Sequence, residues 1–294
     1  MNLVERHATG RDYLDLVTSL LQRIRLGSAE DGVWEAAEMQ WSWRRDQHTD
    51  PNGASFWIND ANDPVAAVVI TTYTGRLGCD LIVGRTESQL LPAMWNAAEV
   101  ALTKMPDVAV EMVVRDDDAA TIALAVQAGF VADDDVGVTC WLDAAARPPI
   151  SGLASGYRLL SRADATTSAH HMIRRNGEHV AARLSECSLY HPSLDLFVEA
   201  PDGSVAAYGL FWPDPITGVG LVEPMRTEDA HQNLGLARHI LTAGIERLAA
   251  FGCRRMNITY MDDNPASKHI YRGACFQPAS TARTYRRSPL HQTT

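Results

Sequence analysis

The run Gln232-Asn233-Leu234-Gly235-Leu236-Ala237, inside the stretch HQNLGLARHIL, has the makings of an anion cradle. A loop that wraps a pyrophosphate needs consecutive backbone N–H groups turned inward, small residues where the chain comes close, and a helix N-terminus behind it. Gly235 permits the turn, Ala237 leaves room for oxygen atoms, and the apolar spacing from Leu234 to Leu248 predicts a helix whose dipole favours negative charge. The blander reading is a capped helix start with a convenient glycine.

Two further side chains have proton-transfer chemistry. Tyr271 lies one turn past Lys268 and two past Asn264 on one helical face, where its phenol can donate a proton or simply pack. Glu223 can serve as a base if burial raises its pKa, as a surface partner of Arg226, or as an anchor for a cationic acceptor. Pro224 cannot donate to a sheet ladder and holds Glu223 extended, so a gap in strand pairing is expected there.

The elements that must position these groups alternate along the second half. GYRLLSR reads as a strand, residues 168–188 as helical, and LDLFVEA and SVAAYGLFW as a hairpin whose turn is Asp202-Gly203. The strand GVGLVEPMRT precedes the cradle, and Gly252 sits where a left-handed cap would end the following helix. The strand CRRMNITYM follows, then a helix capped by Asn264 with Pro265 at its first position, then ARTYRR as a closing strand. The class is α/β.

The first half repeats this order. Aligning QAGF, ending at Phe130, with GACF, ending at Phe276, gives an offset of 146 residues. The cradle then falls opposite Thr86-Glu87-Ser88-Gln89-Leu90-Leu91, which has no glycine and brings a carboxylate where a phosphate would lie, and Tyr271 falls opposite Ala125. The Pro-, Gly- and Ser-rich segment 146–156 reads as an interdomain linker, giving domains 1–149 and 150–294.

Composition narrows the function. The 294 residues are 46% hydrophobic and 21% charged, as in a soluble globular protein. The net charge of −10 divides as −12 and +2 between residues 1–150 and 151–294. An acidic chain without a basic stripe is a poor nucleic-acid partner, and a polyanionic small molecule would favour the second half. No apolar run approaches the roughly 20 residues of a membrane span, and the N-terminus is not a secretory signal, so a cytoplasmic protein is expected. Five scattered cysteines form no C-x-x-C pair, and His170-His171 is expected to point to opposite sides of a helix, so no metal is expected. Trp34 and Trp41, seven apart, are expected on one helical face, in the core or walling an acceptor pocket.

The pattern Q-x-x-G-x-A between strand and helix resembles the acyl-CoA signature of the GNAT acetyltransferases. The stretch NPASKHIYRGACF resembles the N-x-x-A-x-x-x-Y-x-x-x-G-F helix that family carries one strand later, although Cys275 stands where glycine usually precedes Phe276. With the repeat, the resemblance covers nearly the whole chain as two tandem GNAT units in the layout of mycothiol synthase, the N-terminal unit degenerate. It implies in each unit a mixed, mostly antiparallel sheet splayed at its fourth and fifth strands and flanked by helices. It also implies a pantetheine arm along Met225, Arg226 and Thr227, and a pyrophosphate on the amides of the 232–237 loop, with Asn264 touching the cofactor. The implied activity is acetyl transfer from acetyl-CoA to a primary amine, probing Tyr271 as acid and Glu223 as base; the alternatives are a catalytically silent acyl-CoA-binding module and, more distantly, aminoacyl transfer.

Overall fold

Apolar runs bounded by turn residues set the strands, and the computed structural model describes residues 2–44, 53–73, 75–166 and 169–289. The elements run β1 (Val4–Ala8), α1 (Gly10–Gly27), α2 (Ala36–Ser42), β2 (Ala54–Ile58), β3 (Pro64–Tyr73), β4 (Arg76–Val83), α3 (Leu91–Leu102), β5 (Ala109–Arg115), α4 (Ala119–Gln127) and β6 (Val131–Asp143). The second half continues with β7 (Arg158–Ser161), α5 (Ile173–Asn176), α6 (Val180–Ser185), β8 (Asp195–Glu199), β9 (Val205–Asp214), β10 (Val219–Thr227), α7 (Leu236–Ala250), β11 (Arg255–Met261), α8 (Pro265–Gly273) and β12 (Gln277–Arg287).

Two units result, one of residues up to Gly137 together with those from Ser280 onward, the other Val138–Ala279. This partition differs from a division at 149/150 because strand membership is decided by long-range pairing. The last strand pairs with β5 from Ala282 to Arg287, completing the first unit's sheet. Nor is 146–156 a free linker: the Ser151 amide donates to Thr242 Oγ1 at 3.0 Å, and the Ser151 carbonyl meets His239 Nδ1 at 2.6 Å. The segment is a strap on α7.

Each unit has a mixed, mostly antiparallel sheet. In the first, β1 to β4 pair antiparallel in sequence order and β4 pairs parallel with β5. In the second, β7 to β10 pair antiparallel and β10 pairs parallel with β11. The Asp202-Gly203 turn joins β8 to β9, with Gly203 at φ +83° and the Ser204 amide donating to Asp202 Oδ1. Gly252 at φ +92° follows the end of α7. Trp34, by contrast, precedes α2 and its capping residue Glu35, so it does not share a helical face with Trp41.

The second unit's core forms where β8 to β11 meet α7, around Phe211, Val222, Ile240, Leu248 and Phe276. Gly244 lets α7 lie directly on the Phe211 ring, since a Cβ there would meet ring carbons at 2.1 Å. Replacing a helical glycine by alanine ordinarily gains about 1 kcal/mol. At Gly244 the clash reverses the sign, and Gly244→Ala is expected to cost about 1–3 kcal/mol. A urea midpoint at or above wild type would contradict this contact.

Candidate active site

The site begins where two strands part. Parallel pairing of β10 with β11 runs only from Val219/Arg255 to Leu221/Asn257, and pairing with β9 is interrupted between Val222 and Met225. Pro224, without an N–H, sits in that interruption, as its chemistry requires. Trp212 Nε1 donates to the Glu223 carbonyl at 2.7 Å, satisfying one of the freed backbone groups.

A cleft of about 350 Å³ opens beside the parted strands. It brings together Met225, Arg226, Thr227, Gln232, Asn233, Leu236, Ala237, Asn264 and Tyr271. Glu223, Leu234 and Gly235 do not line it. Leu234 is exposed.

The 232–237 loop has the conformation of a cradle. Asn233 and Gly235 take left-handed backbone angles, φ +63° and +76°, and Gly235 occupies the cap position of α7 with no side-chain hydrogen bond. The amides of Asn233, Leu234 and Gly235 donate to no backbone carbonyl among the described residues. A helix N-terminus left this way offers its donors and dipole to an anion. Space is open where a Gly235 Cβ would stand.

Polar groups along the cleft are unevenly engaged. Thr227 Oγ1 is buried and has no hydrogen-bond partner among the described residues. Arg226 lies 3.5 Å from Glu228 and 3.6 Å from Asp229. The Gln232 amide donates to Asp229 at 3.2 Å, and Asn264 accepts from the Ser267 amide at 3.1 Å, capping α8. Lys268 pairs with Asp262 rather than facing the cleft. Tyr271 packs near Tyr260 and edge-on to Phe276. Burial and then the Glu223 charge push its phenol up to about 12, against the Ser267 hydrogen bond.

The cleft also includes His231, Ala266, Ser267 and Ile270, which the sequence reading did not single out. Ser267 and Tyr271 are four apart on α8, a helical signal that could have found the pair. His231 meets Tyr157 Oη at 3.0 Å, a contact across 74 residues that no local pattern announces.

The opposite half of the repeat is built differently. Residues Arg85–Leu90 form a 3-10 turn instead of a left-handed loop, and Glu87 Oε2 accepts from Thr86 Oγ1 at 2.6 Å.

His170 and His171 do not point to opposite sides of a helix. They precede α5, their rings stack at 4.6 Å, and both reach the fully buried Asp195. His170 Nδ1 accepts from the Met172 amide at 3.2 Å, so Nε2 carries the proton donated to Asp195 Oδ2 at 2.9 Å. Tyr190 Oη donates to the same oxygen at 2.8 Å. His171 Nε2 lies 3.1 Å from Oδ1. Among the described residues this is the one group of three or more His, Cys, Asp or Glu whose atoms lie close enough to hold a metal ion. The network ties the segment before α5 to β8.

Residues 159–274 match the family model described as Acetyltransferase (GNAT) family. A sequence search of curated proteins finds no match. The fold is similar to a tandem GNAT protein from the clavulanic acid biosynthesis pathway, at 15% identity and TM-score 0.70 over 97% of this chain and 98% of that one. It is similar also to a GCN5-related N-acetyltransferase of Sphaerobacter thermophilus, at 13% identity and TM-score 0.65 over 97% and 95% of the two chains. A GNAT-family acetyltransferase of Colwellia psychrerythraea gives 11% identity and TM-score 0.58 over 96% and 99%.

The Asp195 network sets an acid limit. Burial raises a carboxyl pKa, yet the His170 and His171 rings hold Asp195 down at about 2. A depressed folded-state pKa contributes stability that is complete above the ordinary carboxyl value of about 4. That stability is lost as pH falls toward 2. Asp195→Asn should remove this part of the acid profile and lower stability at neutral pH by about 2–3 kcal/mol. Parallel denaturant-midpoint curves for both proteins from pH 7 downward would exclude it.

Proposed function

We propose that the GNAT acetyltransferase domain carried in this chain's second unit moves an acetyl group from acetyl-CoA to the primary amine of a small molecule by direct attack. The observation that carries this reading is the cleft joining a left-handed amide loop, the unpartnered Thr227 hydroxyl and Tyr271. The residues fit the co-substrate. The N–H groups of Asn233 to Ala237 hold its pyrophosphate, and the parted backbone at Met225, Arg226 and Thr227 borders its pantetheine arm.

Bound acetyl-CoA supplies the acetyl group as an activated thioester. Backbone N–H groups of the parted strand polarise the carbonyl. Glu223 takes a proton from the attacking amine, directly or through a water, as the N–C bond forms. Tyr271 gives its phenolic proton to the departing sulfur as the C–S bond breaks. The two groups are coupled electrostatically: the Glu223 charge raises the Tyr271 pKa, so protonation of Glu223 makes Tyr271 the better donor. One proton thus enters the site as another leaves.

The acidic first half and the absence of a basic stripe support a small acceptor over a nucleic acid. No helix of the described residues is long and apolar enough to cross a membrane. The first unit's 3-10 turn supports its reading as the tandem unit that holds no acyl-CoA.

Three measurements test this proposal. Thiol release from acetyl-CoA against an amine panel should depend on the amine, whereas CoA binding without such release would leave a silent binding module. Tyr271→Phe should lower kcat by about 100-fold with CoA affinity changed by less than about threefold; unchanged turnover would remove the acid role. Gly235→Val forces a β-branched residue into a left-handed angle and fills the open space, so CoA binding should weaken by at least about tenfold. Calorimetry on both variants separates the two effects.

A further inference from the structure

The first unit contains a cleft of its own, of about 300 Å³, between β4 and β5. Pairing of these strands ends at Gly78/Glu111, and Asp80 stands two residues beyond that last pair. Glu223 stands two residues beyond Leu221/Asn257 in the second unit, so the two carboxylates occupy matching positions in the two splayed strand pairs. Alternation along β4 sends Leu77 and Cys79 into the core shared with α3 and turns Asp80 to the other face.

Asp80 lines this cleft and also a smaller cavity formed with Tyr13, Trp34, Met39, Trp43 and Tyr73. The two spaces share Trp34 and Asp80. Trp34 Nε1 donates to Asp80 Oδ1 at 3.1 Å. No cationic side chain pairs with Asp80 among the described residues, because the surrounding cations are held elsewhere. Arg76 is bound by Glu111 at 2.7 Å, Arg85 by Asp31 and Asp117 at 3.0 and 2.8 Å, and Arg115 by Asp117 at 2.8 Å. Burial pushes the Asp80 carboxyl up to about 7 in spite of the Trp34 hydrogen bond.

This lining selects against an anion. The loop that would cradle a phosphate is a 3-10 turn carrying Glu87, and the two arginines of the cleft wall are already neutralised. A neutral apolar ligand would leave the carboxylate uncompensated, at a cost in desolvation. An organic cation satisfies both halves of the lining, its charge on the carboxylate and the Trp34 ring, its apolar body on the cleft wall. We propose that the first unit's cleft binds an organic ammonium ion, a protonated primary amine with an apolar group, whose charge is taken by Asp80 beside the Trp34 ring and whose body lies against Leu21, Ile24 and Val114. The site is separate from the acetyl-transfer cleft and does not depend on acetyl-CoA.

The test uses the full chain and n-butylammonium chloride as probe, with 1-butanol as the neutral match and sodium chloride as the ionic control. Calorimetry follows affinity, and the Trp34 indole N–H resonance, assigned with Trp34→Phe, reports on the hydrogen bond to Asp80. The expected result is saturable butylammonium binding that shifts this resonance, at least tenfold tighter than 1-butanol. Asp80→Asn should weaken it at least tenfold while keeping the melting temperature at or above wild type, since the amide oxygen still accepts from Trp34 and a buried charge is gone. Glu223→Gln should leave this binding within twofold. No shift of the Trp34 resonance up to 50 mM probe, equal binding of 1-butanol, or undiminished binding by Asp80→Asn would each overturn the proposal. Loss on Glu223→Gln in place of Asp80→Asn would overturn it too, by placing the amine in the other unit. The titration of the unaltered chain decides the matter even if a variant fails to fold.

Discussion

The end of pairing between β10 and β11 at Leu221/Asn257 is the constraint on which the second unit depends. A sheet that lets two neighbouring strands part must find partners for the freed N–H and C=O groups. Some are found within the chain, as where Trp212 serves the Glu223 carbonyl. Others face a cleft, and the buried Thr227 hydroxyl beside them has no hydrogen-bond partner among the described residues. The same opening gives room for the α7 N-terminus to approach from one side and Tyr271 from the other. Without the splay the cradle would be an ordinary helix start against a closed sheet.

The position of α7 is the second requirement, because a dipole and a set of amides act only over the first turn. Three contacts set it. Gly244 lies on the Phe211 ring, the strap at Ser151 bonds to Thr242 and His239, and Leu236, Ile240 and Leu248 enter the core of the β-sheet. Packing on this scale is stiff, since interiors are close-packed and accommodate little. Arg226 is meanwhile drawn toward Glu228 and Asp229, and Arg175 binds Glu228 at 2.9 Å. The charge in this part of the cleft is therefore already balanced, and among the described residues the amides of Asn233, Leu234 and Gly235 donate to no backbone carbonyl.

What could be read from the sequence was local. The cradle, the Asp202-Gly203 turn, the Gly252 cap and the Asn264 cap each rest on a few consecutive residues whose backbone preferences are strong. The interruption at Pro224 was legible for the same reason, as a missing donor in a strand. The errors share the opposite cause. His170 and His171 converge because Asp195, 25 residues away, draws both rings, and the segment holding them is not helical. The strap at 146–156 has a linker's composition, but its polar groups are bonded to α7. Strand β12 closes the first unit's sheet through pairing with β5 that no local pattern specifies. Trp34 was assigned to a helix that starts only after Glu35.

The two splayed strand pairs show which part of such a site carries information about its ligand. Both units part their fourth and fifth strands after three parallel residue pairs, so a cleft at that place follows from the fold and says little about what enters it. The walls differ. In one unit the loop after the fourth strand turns left-handed at Asn233 and Gly235 and leaves amides unfilled. In the other it winds as a 3-10 turn around Glu87. A carboxylate stands at the matching strand position in both, Glu223 and Asp80, although only Asp80 lines the cleft beside its strand. Ligand charge is therefore set by the residues added to the opening. The loops differ in the backbone amides they leave exposed, and the two carboxylates differ in whether they line the cleft beside their strand.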